Sequence, residues 1–222
     1  FRVEIVRGHT TPNAPFNSVS ASMCGTVHRN SYISAGGAKP ADRLILAIDL
    51  EGRISPNYEY GWDTTALKSS SDIQNRYEAM RKLAERNILH ASKDLSNGGI
   101  IGTILLMLEY AQKGAIINLD SIPIPAELDL TTWLKMYIST GFVVTTPKTH
   151  EKQVISIFKE HGFNAADIGS VDKTQKIKLQ LNEESVSIFD FAQEAIVAPP
   201  PPPQLNRVTP SDSTSKKSEE DT

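Results

Sequence analysis

The sequence predicts an α/β fold in which helices pack on a mixed sheet. Three observations lead to this class. Residues 43–49 form a nearly continuous apolar run, as in a strand that is buried on both faces. Apolar residues recur at helical spacing around 100–109 and 148–161. Strand-like and helix-like segments alternate between 43 and 181, which is typical of layered α/β proteins.

The first forty residues predict two strands and a connection. Apolar and charged side chains alternate from Phe1 to Val6, and a second alternating stretch runs from Ser18 to Val27. The turn between them contains His9, which is either a structural histidine or a ligand contact. A connection punctuated by glycine and proline, 33–42, then leads into the apolar strand.

A polar connection and a helix follow that strand. Residues 50–71 have loop character, and their aromatic side chains either line a small-molecule pocket or cover an edge of the core. Asp72 is expected to cap a helix whose charged face, including Arg76, is solvated. The opposite, apolar face consists of Ile73, Tyr77, Met80 and Ala84.

A short strand at 88–91 delivers the chain to Lys93 and Asp94, just before the next helix. Ser96 and Asn97 are good N-cap residues. The two glycines that follow leave the helix start without side-chain bulk, so that its N–H groups and positive dipole end suit an anionic oxygen. The alternative is a capped, buried helix after a tight turn, with the lysine and the aspartate merely solvated.

The remaining segments continue the α/β rhythm. We expect strands at 115–119, 141–146, 163–171 and 176–181, a short helix around 130–137 and a longer one at 148–161. Five consecutive prolines, Pro199 to Pro203, begin a tail with almost nothing to bury. This tail is predicted to be disordered with a polyproline II start, as a spacer or as a ligand for an SH3-type domain.

Composition narrows the class of protein. A net charge of −3 and a pI near 6.0 give no electrostatic basis for binding nucleic acid or an anionic membrane surface. Cys24 is the single cysteine, so an intramolecular disulfide is excluded, and no apolar run approaches the roughly 20 residues of a membrane span. We therefore expect a cytoplasmic protein. No familiar catalytic motif is present, and the catalytic residues are unknown.

Three segments, in this order, resemble the aminoimidazole ribonucleotide (AIR) synthetase superfamily, which includes selenophosphate synthetase and thiamine-monophosphate kinase. They are Gly8-His9-Thr10, the crossover Lys39-Pro40-Ala41-Asp42, and Asp94-Leu95-Ser96-Asn97-Gly98-Gly99. The chain departs from the family pattern at three positions. Arg7 and Ala41 replace glycines, and Asn97 replaces a second carboxylate.

This resemblance implies a domain organisation. Residues 1–36 would be the remnant of an N-terminal ATP-binding domain, 37–197 an AIR synthetase-like C-terminal domain with a mixed sheet, and 198–222 the tail. The chain starts without methionine, and we expect it to be a piece of a longer protein. Relatives are usually dimeric through the N-terminal domain, so a homodimer is expected.

The resemblance also implies ATP and Mg²⁺ as cofactors and phosphoryl transfer that activates an oxygen of a small-molecule substrate, in a ligase- or kinase-type enzyme. The alternative is a non-catalytic relative that binds a metabolite or acts as a scaffold. Asp94 is the candidate metal ligand. The expected phosphate- and nucleotide-binding residues are Gly8, His9, Thr10, Lys93, Asp94, Ser96, Asn97, Gly98 and Gly99.

Overall fold

The computed structural model describes residues 3–10 and 15–197, which contain two sheets and four α-helices. In chain order the elements are β1 Arg43–Ile48, β2 Arg53–Ser55, β3 Tyr58–Asp63, α1 Ser70–Arg86, β4 Ala91–Asp94, α2 Gly99–Ala111, β5 Gly114–Asn118, α3 Leu130–Lys135, β6 Tyr137–Ile138, β7 Gly141–Thr146, α4 Glu151–Glu160, β8 Asn164–Asp172, β9 Lys176–Leu181 and β10 Glu184–Asp190. Within these described ranges, no helix is both long enough and apolar enough to cross a bilayer.

The main sheet has seven strands in the order β10-β9-β5-β8-β1-β7-β4. β1 pairs antiparallel with β7 and β8, whereas β5 and β9 run parallel. The sheet is therefore mixed, which confirms the predicted fold class. β4 lies at one edge, and the helix α2 follows it directly in the chain.

Helices cover both faces of this sheet. Alternate residues of β1 point to opposite sides. Leu46 belongs to a core that includes Met107 of α2, and Ile45 belongs to a second core that includes Leu83 of α1 and Phe158 of α4. Two buried faces explain why residues 43–49 form a nearly continuous apolar run.

We expected the polar connection 50–71 to be a loop, but it contains the hairpin β2–β3. Together with β6 this hairpin forms a small second sheet. Trp62 is buried edge-to-face on Trp133 of α3, with ring centroids 5.5 Å apart, whereas Tyr58 and Tyr60 are exposed. Of the three aromatic residues, the tryptophan thus belongs to the core.

The predicted N-terminal strands are absent from the described residues. Residues 3–10 and 15–27 form no strand, and their side chains are exposed. Alternation stabilises a strand only when a neighbouring edge accepts its hydrogen bonds, and none of the described strands pairs with this segment. The first two residues and the predicted tail, 198–222, lie outside the described ranges.

The prediction for α1 was wrong in its cap and its buried face. The N-cap is Ser69, and Asp72, at the third position of the helix, completes a capping box with it. Arg76 is buried because its guanidinium pairs with Asp49, a fully buried carboxylate at the end of β1, and with Glu51, at 2.8 Å between Nη2 and Oε2. A buried carboxylate requires a cation, so the helix turns this arginine inward.

Other elements begin or end a few residues away from their predicted bounds. The strand expected at 88–91 is β4, which begins at Ala91, and the helix expected around 130–137 ends at Lys135, so that Tyr137 belongs to β6. β10 was not predicted. It is an edge strand whose side chains are mostly exposed, so its sequence lacks the apolar signal of the buried strands.

Candidate functional site

The candidate site is the turn between β4 and α2. β4 ends at Asp94, and the backbone N–H of Leu95 donates to the carbonyl of Gly141 at 2.9 Å, which fixes the turn to the start of β7. The N–H of Gly99 then donates to the carbonyl of Ser96 at 2.8 Å. These two bonds bring the strand end and the helix start close together.

The helix start has no side-chain cap. The N-cap residue is Gly98, so the expectation that Ser96 and Asn97 cap the helix was wrong. The backbone N–H of Ser96 instead donates to Thr103 Oγ1 at 3.3 Å. The absence of a capping side chain leaves the first N–H groups of the helix without that common partner.

The two glycines differ in their surroundings. Gly99 is buried with a φ of +61°, and a Cβ there would lie 2.9 Å from the carbonyl oxygen of Leu134 and 3.1 Å from that of Met136. Only glycine fits this close approach to the segment between α3 and β6. Gly98 is exposed. The open side of the helix start is therefore at Gly98, and Gly99 is packed against protein.

Lys93 and Asp94 lie beside this open side. The aspartate side chain is 71% exposed and the lysine side chain 27%, and 3.9 Å separates Nζ from Oδ1. The turn thus offers an accessible carboxylate and a cation within reach of the same small ligand. An exposed carboxylate next to a lysine is also the ordinary solvated arrangement of the alternative interpretation.

Tyr77 and Tyr137 extend the site, and sequence reasoning did not nominate either for it. Burial is the main cause that raises the pKa of the Tyr77 phenol, and the negative charge of Asp94 and the neighbouring Tyr137 raise it further. Tyr77 also packs edge-to-face on Phe142, the residue of β7 opposite Asp94 in the sheet. These residues come from α1, β4, β6 and β7, so only the tertiary structure brings them together.

Gly8, His9 and Thr10 lie in the N-terminal segment, outside the two sheets. All three are exposed, and within the described residues no hydrogen bond or ion pair joins them to β4 or α2. Their assignment to a nucleotide site stays a prediction.

The turn supplies one ligand for a metal ion and not a complete set of ligands. The described part of the chain contains no cluster of three or more histidine, cysteine, aspartate or glutamate side chains suited to a metal. Asp94 supplies one exposed carboxylate, with the amide of Asn97 nearby in the chain. Magnesium is commonly held by one or two carboxylates together with substrate phosphates, so this donor set fits a nucleotide-bound ion.

Fold and sequence together define the class of this protein. Residues 44–182 match the sequence profile of the family described as AIR synthase related protein, C-terminal domain. This range is more than half of the chain, and the chain belongs to that family.

Individual relatives share more of the chain. It is 34% identical over 196 residues to an uncharacterized protein of Methanocaldococcus jannaschii and, to the same extent, to one of Synechocystis sp.; each alignment covers 88% of this chain and 60% of the relative. It is 25% identical over 211 residues to the phosphoribosylformylglycinamidine synthase subunit PurL of Methanothermobacter marburgensis, covering 85% of this chain and 28% of that subunit. The chain thus spans 60% of the length of the first two relatives and 28% of the length of the third.

Solved structures share the fold. PurL of Thermotoga maritima, in complex with ATP, superposes with a TM-score of 0.62 at 16% identity, over 82% of this chain and 32% of that one. The hydrogenase maturation protein HypE in complex with ATP gives 0.55 at 15% identity, over 71% and 53%. At these identities the likeness shows a common fold.

Proposed function

We propose that this chain is part of an ATP-dependent enzyme that transfers a phosphoryl group to an oxygen of a small metabolite. The observation that carries the proposal is the uncapped helix start at Gly98 beside the exposed Asp94 carboxylate. Its support comes from membership of the AIR synthase-related family and from a fold shared with PurL and HypE, both of which have been solved with ATP.

Each residue of the turn has a role in this proposal. The backbone N–H of the exposed Gly98 donates to a phosphate oxygen, and the helix dipole favours its negative charge. Lys93 adds a cation for the same phosphates. Asp94 and Asn97 would hold magnesium there, which would offset the negative charge of the phosphates. The phenol of Tyr77, near Asp94, borders the ligand.

The proposal also assigns a role to each segment of the chain within a longer enzyme. Residues 1–36 belong to an N-terminal ATP-binding domain that also forms a homodimer, and Gly8, His9 and Thr10 contact nucleotide there. Residues 37–197 form the C-terminal domain, and 198–222 are a spacer. The protein is of the ligase or kinase type and acts in the cytoplasm.

Calorimetric titration of the full-length protein with magnesium–ATP tests the proposal. Asp94→Asn removes the charge of the metal ligand, and we expect at least about tenfold weaker binding, equivalent to about 1.4 kcal/mol. Glu183→Gln removes an exposed carboxylate in the β9–β10 turn and serves as the matched control, which should bind as the original protein does.

The magnesium dependence separates a metal ligand from general electrostatics. The effect of Asp94→Asn should shrink when ATP is titrated without magnesium, because the carboxylate then has no cation to hold. Absence of ATP binding, or equal binding by both variants, contradicts the proposal. If nucleotide binds but is never consumed, the chain is the non-catalytic metabolite-binding relative.

A further inference from the structure

A second polar cluster, which we call the Lys39 cluster, lies at the other end of β4. It consists of Lys39, Asp42 and His90. The Nδ1 atom of His90 lies 2.8 and 2.9 Å from the two carboxylate oxygens of Asp42, and its Nε2 atom lies 3.2 Å from Lys39 Nζ. The aspartate side chain is 4% exposed, whereas that of the histidine is 25% exposed and the lysine is exposed.

A strained turn holds this cluster. The N–H of Asp42 donates to the carbonyl of Lys39 at 3.1 Å, with Pro40 and Ala41 between them. Ala41 has a φ of +71°, a conformation that suits glycine at the third position of a type II turn. Val171 of β8 exchanges two backbone hydrogen bonds with this turn, at 2.9 and 3.0 Å, and so keeps it in place.

The connection before the turn runs close along the edge of β4. The N–H of Ser92 donates to the carbonyl of Ser34 at 3.3 Å, and a Cβ at Gly37 would overlap the carbonyl oxygen of His90. The backbone N–H of His90 donates to the carbonyl of Thr145 in β7 at 2.8 Å, and Tyr110 of α2 packs on Gly36.

The short distances within the cluster limit where its protons can lie. An ionised carboxylate only accepts, so Nδ1 of His90 carries a proton. A single hydrogen then lies between Nε2 and Lys39 Nζ, because two protonated groups would point N–H bonds and like charges at each other across 3.2 Å. Lys39 and His90 together therefore hold one proton fewer than they would if both were cations.

We propose that Lys39 and His90 bind an oxyanion of a small molecule, a phosphate or a carboxylate, and take up one proton as they do so. The anion accepts from the ammonium group and from Nε2–H together, and the buried Asp42 carboxylate balances the added charge. His90 precedes Asp94 by four residues, about 13 Å along an extended strand. The site is thus distinct from the β4–α2 turn, and the proposal does not depend on ATP binding there.

Titration of the full-length protein with sulfate tests this proposal, because sulfate stays dianionic between pH 5 and 9. Calorimetry in two buffers of different ionisation enthalpy measures the protons taken up on binding. We expect uptake of up to one proton, and an affinity that falls by up to tenfold per pH unit as the imidazole loses its proton. A purely structural histidine would show neither effect.

Two variants and a control locate the effect. Lys39→Met should weaken sulfate binding at least tenfold, Lys39→Arg should largely restore it, and Lys152→Met, at an exposed lysine of α4, should leave it unchanged. Thermal unfolding of each variant checks that it folds. The same titration with inorganic phosphate and with acetate then assigns the natural ligand to one class of oxyanion.

Unchanged binding in Lys39→Met, binding without proton uptake, or no binding of any of the three anions would overturn the proposal. Magnesium–ATP binding to Lys39→Met is measured in parallel. If Lys39→Met still binds magnesium–ATP but no longer binds sulfate, the Lys39 cluster and the nucleotide site are separate.

Discussion

Replacing Gly99 by alanine tests the geometry of the helix start most severely. The residue has a φ of +61°, and its added Cβ would meet two backbone carbonyl oxygens, at 2.9 and 3.1 Å. The left-handed conformation alone costs an alanine about 1–2 kcal/mol. Displacing the segment between α3 and β6 adds to this, so we expect a loss of about 2–3 kcal/mol in the free energy of unfolding.

Gly102, one turn later in α2, is the matched control. A Cβ there would have no neighbour within 4 Å, and alanine in a helix is favoured over glycine by roughly 0.5–1 kcal/mol. Gly102→Ala should therefore stabilise the protein, and the two variants should differ by about 3 kcal/mol. For a chain of this size, this corresponds to roughly 6–12 °C in the temperature of unfolding.

Urea unfolding followed by circular dichroism and by tryptophan fluorescence measures both variants. Trp133 is in α3, next to the expected clash, so its emission reports on local repacking. Equal stabilities of Gly99→Ala and the original protein would refute the close packing of the helix start, and with it the argument that only its Gly98 side is open to a ligand.

Three further predictions concern other strained or charged positions. Ala41→Gly should raise the free energy of unfolding by about 0.5–1 kcal/mol in urea melts, because glycine tolerates the positive φ, whereas Ala66→Gly, in an exposed loop with ordinary φ, should lower it. Arg76→Met should cost about 3 kcal/mol by leaving the buried carboxylate at the end of β1 without its main cation, whereas Arg81→Met, which breaks exposed ion pairs on the same helix, should cost less than about 1 kcal/mol. Backbone N–H groups lower the pKa of Asp63 below 3.8, so its ionised form stabilises the fold above that value. Urea melts between pH 2 and 7 compare the original protein with Asp63→Asn. The greater stability of the original protein should disappear as the pH falls through the lowered pKa.

Local sequence patterns predicted the buried elements best. β7 was predicted with its observed bounds, because its β-branched residues are buried on both faces and have no competing signal. The helix α2 was likewise predicted from its apolar periodicity. In α1 the pattern misled, because the buried Arg76 is specified by a carboxylate 27 residues earlier in the chain. A periodicity analysis cannot register such a partner.

The candidate site shows the same division. The β4–α2 turn follows from local signals, a strand end, two glycines and an apolar helix. The inward packing of Gly99 and the placement of Tyr77 near Asp94 and Tyr137 depend on α1, α3 and β6, whose positions no local pattern encodes. The resemblance at Lys39–Asp42 identified the crossover turn, and only the structure showed its contact with His90.

The backbone amide of Gly98 provides the most direct measurement. We predict that saturating magnesium–ATP shifts the NMR amide signals of Gly98 and Asn97 in the full-length protein and leaves that of Gly114, beyond the far end of α2, in place. Unchanged signals of Gly98 and Asn97, while calorimetry shows the nucleotide bound, would contradict a phosphate site at this helix start.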